Sequence, residues 1–291
     1  MAHPEHFYKY VDPDTAKIIL KNCTLRWSAP SRFNDPFDVQ FDLHIEYERG
    51  KIVEEALDEM WAIYTQKKEI VVANALGAVL KMLSLKPNII SRDEFVSHLR
   101  LGLEGSLKKR EEKLPDLQST LRKHLSPIQL LCLSRTYTNI LMWSHYARNH
   151  TGIVLRLSCA EYEDSPLLMA REVEYRKEMP LLFDHRRLLK YLTGQSALDA
   201  ETISSAALLT KANDWAYEQE WRVVYHGREP VVFSDDKFEP RQFTAVYFGC
   251  RTSEQDLEEI SSLASGANSN IEMFNVKKSD PEFALVFERI A

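Results

Sequence analysis

Apolar residues follow two different periods along this chain. HFYKYV (6–11) is a short aromatic and apolar run, and TLRWSA (24–29) alternates until Pro30 stops it; both read as strands. Between them DPDTAKIILKN (12–22) opens on Asp and Pro, the residues of a helix start, and ends at Asn. FDVQFDLHIEY (37–47) reads as a further strand. From about 47 to 127 the apolar spacing becomes helical, in 51–83 and again in 91–125, where Ser91 and Glu94 have capping-box spacing. The run LKKREEKL fits a solvated helix face. Strands return at 128–137 and 151–158, bracketing NILMWSHYARNH, and again at 170–177. DAETISSAALLTKANDWAYEQE (199–220) reads as one helix running into the strand WRVVYH. Strands at 243–251, 271–279 and 283–290, with a helix at 252–265, complete a mostly β C-terminal half. Strands and helices do not alternate regularly, which disfavours a doubly wound sheet. The expectation is a single α+β domain over residues 1–291: a mixed, mostly antiparallel central sheet carrying a helical insertion or cap at 47–127.

Composition narrows the function. A chain of 291 residues, 44% hydrophobic and 27% charged, can bury a substantial core. A net charge of −6 argues against a broad nucleic-acid or anionic-membrane surface, while leaving room for a local basic pocket. The apolar runs are far too short to span a membrane. Cys23, Cys132, Cys159 and Cys250 lie far apart and read as reduced thiols of a cytoplasmic protein. His and Cys never take zinc-ligand spacing, so no metal site is expected.

Three stretches concentrate chemistry. In LRWSAPSRFNDPFD, Arg26 and Ser28 share one face of a strand, and Arg32, Asn34 and Asp35 follow in a turn that Phe33 and Phe37 can peg to the core. A rigid polar loop suits binding; the plainer account is an Asx-Pro turn that only joins two strands. In LSRTYTNILMWSHYARNHTG, a helix would align Tyr146 with Met142 and Trp143 and place His150 one turn on, with His145 off that stripe. Ser134 and Arg135 end the preceding strand and can face the same cleft, although the apolar members also fit an ordinary buried face. In NDWAYEQEWRVVY, Glu218 and Glu220 would project from one side of a strand with Arg222 next along it. Such a carboxylate pair can orient a hydroxyl, stabilise positive charge or act as acid and base; an exposed edge with a weak ion pair is the alternative.

FNDPFD, LMWSHYA and YEQEWR, in that order, resemble the bacterial domain of unknown function 2971 family, over most of the chain outside the helical insertion. The family's name carries no activity. The order of elements also resembles, more weakly, the ADP-ribosyltransferase fold. Those enzymes place a His or Arg on a first core strand, a Ser or Tyr on another and a catalytic Glu, often in Glu-x-Glu, on a third. The resemblance implies that NAD is the substrate and that Glu220 holds the ribose and stabilises its cation. It implies that Glu218 serves the acceptor, that Tyr146 stacks on nicotinamide, and that Arg26 or Arg32 neutralises the diphosphate. Tyr8 or Tyr10 and Arg26 or Ser28 would meet NAD, and the acceptor would be a protein, a nucleic acid or a small molecule. The chain departs from the pattern at the first motif, which has no clear His or Arg unless His6 or Arg26 serves.

Two other classes compete. A metal-independent nuclease or phosphodiesterase toxin would use His145 and His150 as base and acid, with Arg135 or Arg148 on phosphate. A non-enzymatic sensor in an antiphage or stress system would hold a nucleotide in the same pocket.

Overall fold

The computed structural model describes residues 3–39, 44–87, 89–159, 164–197 and 200–290. In chain order the first elements are β1 (His6–Val11), α1 (Pro13–Asn22), β2 (Thr24–Ser28), β3 (His44–Ile45), α2 (Arg49–Tyr64), α3 (Ala75–Ser84) and α4 (Arg92–Leu125). Next come β4 (Ile128–Ser134), α5 (Ile140–Tyr146), β5 (Ile153–Ser158), β6 (Arg171–Glu172), β7 (Glu174–Arg176) and β8 (Leu181–Phe183). Then follow α6 (His185–Leu192), α7 (Ala200–Leu208), β9 (Thr210–Ala212), β10 (Glu220–His226) and β11 (Phe233–Lys237). The chain ends with β12 (Phe243–Phe248), α8 (Glu254–Ala267), β13 (Glu272–Lys278) and β14 (Leu285–Arg289). The fold is mixed α+β with a mostly antiparallel sheet, and the residues divide into two compact units.

The first unit comprises Met1–Gln40, Ser126–Lys177 and Leu209–Ala291. Its sheet runs β11-β2-β4-β1-β5-β12-β13-β14, with β10 paired to the other edge of β4 and β6 to β10. β4 and β10 pair along their whole lengths, from Glu220 opposite Ser134 to His226 opposite Ile128. The opposite edge of β4 is different. It meets β2 at one position, Ser28 with Leu130, and β1 at another, Tyr8 with Ser134. β1 and β2 therefore diverge from β4, and the sheet splits between them. Phe7, Val11, Leu25, Trp27, Leu131, Leu133, Trp221 and Val223 form one face of the core, covered by Ala16, Ile19 and Leu20 of α1 and Ile260 and Ala264 of α8. On the other face Tyr10, Trp143, Val154, Ala245 and Tyr247 form a second cluster. α1 begins where the sequence predicts: the Asp12 side chain caps it at the Thr15 amide and Pro13 occupies the first turn.

The second unit comprises Phe41–Leu125 and Glu178–Leu208. It packs α2, α3, α4 and α6 around Ile52, Ala56, Leu57, Met60, Ile63, Phe95 and Leu188, with β3 and β8 paired in parallel. Ser91 and Glu94 form the reciprocal capping box that opens α4. The strand read at 37–47 falls partly outside the described residues; within them only His44–Ile45 is a strand.

The long helix read at 199–220 is not continuous. α7 ends at Leu208, Thr210–Ala212 forms β9, and a 3-10 turn at Asn213–Glu218 leads into β10. β9 lies parallel to β7, with Lys211 opposite Tyr175. Strand pairing overrides a local sequence that is compatible with helix. Among the described residues no helix is long and apolar enough to cross a membrane.

Candidate functional site

A cavity of about 410 Å³ lies at the split in the first unit's sheet. Its wall takes Tyr8, Lys9 and Tyr10 from β1, Arg26 and Ser28 from β2, Arg32, Phe33, Asn34 and Asp38 from the loop after β2, and Cys132 and Ser134 from β4. His145 and Tyr146 come from α5, Lys211 from β9, and Glu218 and Glu220 from the turn into β10. The volume falls in the range of small-molecule sites.

The carboxylates reach this cavity through backbone geometry that a plain strand would not supply. Glu218 ends the 3-10 turn, and Gln219 adopts a left-handed conformation (φ 45°) before β10 begins at Glu220. Two bonds hold this corner: Ser134 Oγ donates to the Glu218 carbonyl at 2.6 Å, and the Arg135 amide donates to the Gln219 carbonyl at 3.0 Å. Along β10, Trp221 and Val223 enter the apolar core while Glu220 and Arg222 take the other face, where they too are buried.

Buried charges must be paired to be tolerated, and here they are. The Arg222 guanidinium, fully buried, donates to both oxygens of Asp38 at 2.8 and 2.6 Å and to both oxygens of Glu220 at 2.8 and 2.9 Å. Lys211 Nζ donates to Glu218 at 2.5 Å and Glu220 at 3.1 Å, and lies 3.5 Å from Asp38. Tyr146 Oη donates to the other Glu218 oxygen at 2.5 Å. The Glu220 amide donates to the Tyr175 hydroxyl at 2.7 Å. Phe33 covers the Arg222 guanidinium, 5.5 Å from ring centre to carbon.

The two glutamates respond in opposite directions. Burial works against the charge of Glu220, but Arg222 and Lys211 overcome it and hold this carboxyl far below the usual range. Burial dominates at Glu218, and the nearby negative charge of Glu220 adds to it. The Glu218 carboxyl is therefore raised, with Lys211 opposing. Lys211 itself is disfavoured by burial, yet the three carboxylates keep it more firmly protonated than an ordinary lysine. Thus Glu220 is held as an anion by Arg222 and Lys211, while Glu218 takes a proton more readily than an ordinary glutamate.

The remaining residues singled out in the sequence divide clearly. Arg26 lines the cavity but is engaged, with Asp235 at 2.9 and 3.0 Å and with the Phe233 ring. Arg32 is exposed at the cavity and pairs with no carboxylate among the described residues. Ser28 and Asn34 line the cavity; Asp35 does not, and its side chain accepts the Phe37 amide in an Asx turn. Phe33 is a half-buried peg, but Phe37 is 59% exposed and anchors nothing to the core, contrary to the expectation of two pegs. Tyr8 packs on Tyr137 at 4.9 Å, and the Tyr10 hydroxyl donates to the Thr136 carbonyl.

Asn139 caps α5, and the helix ends at Tyr146, too soon to place His150 one helical turn beyond it. Arg148, Asn149 and His150 instead take a left-handed turn (φ 45°, 55° and 67°). That turn stacks His150 on Trp143 and brings it 3.1 Å from Ser144 Oγ, outside the cavity lining. Gly152 closes the turn, and a Cβ there would lie 2.2 Å from the Val11 carbonyl oxygen. Trp143 is fully buried beneath the site, donating to the Tyr137 carbonyl, so it supports the site without lining it. Arg135 is exposed and does not line the cavity, and Arg148 pairs with Asp12 and Asp14. His145 does line it, its Nδ1 2.9 Å from the Tyr217 hydroxyl.

Lys9, Asp38, Cys132, Tyr175 and Lys211 were not anticipated. Asp38 closes the FNDPFD motif and had a signal, an acid beside a buried-type aromatic turn. Lys211 had none while 199–220 read as a helix. Among the described residues no group of three or more His, Cys, Asp or Glu side chains is arranged to hold a metal ion, and none of the four cysteines forms a disulfide.

No curated protein and no solved structure matches this chain, so the resemblance to ADP-ribosyltransferases has no support from either comparison. Residues 142–223, which carry the LMWSHYA motif from its Met onward, the YEQEWR motif and Lys211, match the family described as a protein of unknown function, DUF2971.

Proposed function

We propose that the first unit is an enzyme that breaks a ribosyl bond in a nucleotide-type substrate, with NAD the candidate, and that Glu218 rather than Glu220 is its reacting carboxyl. The observation that carries this reading is the difference between the two glutamates in one cavity. Cleavage of a glycosidic bond passes through an oxocarbenium-like ribose and needs a carboxylate at the developing cation. Glu220 is saturated by Arg222 and Lys211. Glu218 has one donor on each oxygen and a raised proton affinity, so it has the capacity to respond to a substrate.

In the proposed step the bond between ribose C1′ and the nicotinamide nitrogen breaks and its electron pair leaves with nicotinamide. Ionised Glu218 faces the resulting cation. Water or an acceptor nucleophile then bonds to C1′, and its proton passes to His145 or Glu218. Tyr8 and Tyr146 offer aromatic surface for the nicotinamide. A protein or small-molecule acceptor in a cytoplasmic setting fits the net charge of −6 and cysteines that form no disulfide; a nucleic acid would need a local groove.

The test is nicotinamide release from NAD by the purified chain, with calorimetric titration of NAD alongside. Release that is lost in a folded Glu218→Gln protein supports the reading. Neither binding nor release in the wild type, or full activity in Glu218→Gln, refutes it.

A further inference from the structure

Lys9 is not used by the ribosyl chemistry and sits where a lysine needs explaining. By strand alternation it shares the face of β1 that carries Phe7 and Val11, both buried in the apolar core. Its ammonium donates to the Cys132 carbonyl at 2.8 Å, across the gap where β1 and β4 separate. No carboxylate among the described residues lies at ion-pair distance from it. A carbonyl freed by the split in the sheet requires only a neutral donor. A half-buried ammonium with no anion at ion-pair distance is unfavourable, and burial lowers the proton affinity of this amine, with the more distant Glu220 charge opposing. Lys9 nevertheless lines the 410 Å³ cavity, and so does Arg32, the other cation there with no carboxylate partner among the described residues.

We propose that Lys9 and Arg32 form an anion subsite that takes the diphosphate of the substrate, with Lys9 at the gap in the sheet and Arg32 from the loop after β2. The proposal deepens the ribosyl-cleavage reading by naming a diphosphate-bearing nucleotide as the substrate class, and it rests on that reading only for the nucleotide part. It also reassigns the role expected of Arg26, whose guanidinium is already committed to Asp235.

Inorganic pyrophosphate is the probe, because it contains no ribosyl bond. Calorimetric titration of the wild type, Lys9→Gln and Arg32→Gln should show binding that weakens by about tenfold or more in each variant, as expected for losing a hydrogen bond to a charged group. Gln at position 9 retains a donor for the Cys132 carbonyl, so a loss there reports the charge. Adenosine, which has no phosphate, should bind all three proteins alike. Pyrophosphate that fails to bind the wild type, or binds both variants as well as the wild type, overturns the proposal. Should Lys9→Gln not fold, Arg32→Gln decides alone, since its side chain is exposed and its replacement leaves the core intact. A wild type that binds pyrophosphate but releases no nicotinamide from NAD would refute ribosyl cleavage and leave the anion subsite standing; release without pyrophosphate binding would do the reverse.

Discussion

Replacing Glu220 by Gln should unfold the first unit far more readily than the same change at Glu218, two residues away. Glu220 is 5% exposed and accepts two N–H bonds from Arg222 and one from Lys211. An amide of the same size offers one acceptor oxygen and turns an NH2 group toward donors. Arg222 and Lys211 then keep buried charge with less compensation. Breaking a buried pair by removing one partner typically costs about 3–5 kcal/mol. At Glu218 the neutral carboxyl is already favoured relative to a free glutamate, since burial raises its proton affinity. Gln there keeps an acceptor for one donor and should cost roughly 1–2 kcal/mol, the scale of one altered hydrogen bond. Urea unfolding followed by tryptophan fluorescence measures both, through the buried Trp143 and Trp221. With a slope of about 2–3 kcal/mol per molar, Glu220→Gln should lower the midpoint by roughly 1–2 M. A loss below about 1 kcal/mol, the ceiling for most exposed pairs, would mean that water reaches the cluster and that the assignment of Glu220 as a structural anion is wrong.

Stability against pH should carry both signatures. Glu220, with its lowered carboxyl, contributes stability that is present above the ordinary glutamate range and lost as pH falls toward its folded value. Glu218, with its raised carboxyl, contributes stability that is present below the ordinary range and lost as pH rises through its folded value, so Glu218→Gln should flatten the neutral-side decline in a pH series of unfolding curves. Tyr146→Phe should remove the donor to Glu218, costing about 1 kcal/mol of stability while reducing nicotinamide release; unchanged release would detach Tyr146 from the chemistry. Phe33→Ala should cost roughly 1–3 kcal/mol, below the value for a fully buried ring, whereas Phe37→Ser should fall within about 0.5 kcal/mol because that ring is mostly exposed.

The parts of this site that were legible in the sequence are those carried by short local patterns. Glu-x-Glu before an aromatic strand put two carboxylates in one place, and the LMWSHY run set a helix beside them. What escaped depends on pairing between distant segments. Lys211 reaches Glu218 and Glu220 because Thr210–Ala212 pairs with Glu174–Arg176, a contact invisible to helical periodicity. His150 departs from its expected stripe because three non-glycine residues in succession take positive φ, a conformation that side-chain type alone does not announce. Phe37 failed as a peg because the turn presents Asp38, not the second ring, to the interior, where Arg222 holds it.

The acid pair also shows how one Glu-x-Glu motif can hold one carboxyl as a structural anion and leave the other for the proposed chemistry. If both glutamates were equally paired to cations, both would be fixed anions and neither could exchange a proton near neutral pH. If neither were paired, burial would hold both neutral and the cavity could not face a cation. Arg222 removes this symmetry by binding Glu220 and Asp38 and leaving Glu218 to Lys211 and Tyr146. The permanent charge on Glu220 then raises the proton affinity of Glu218, while Lys211, shared between them, limits that rise. Glu218 is thereby left more readily protonated than an ordinary glutamate, and the left-handed Gln219 sets it apart from β10 at the split of the sheet.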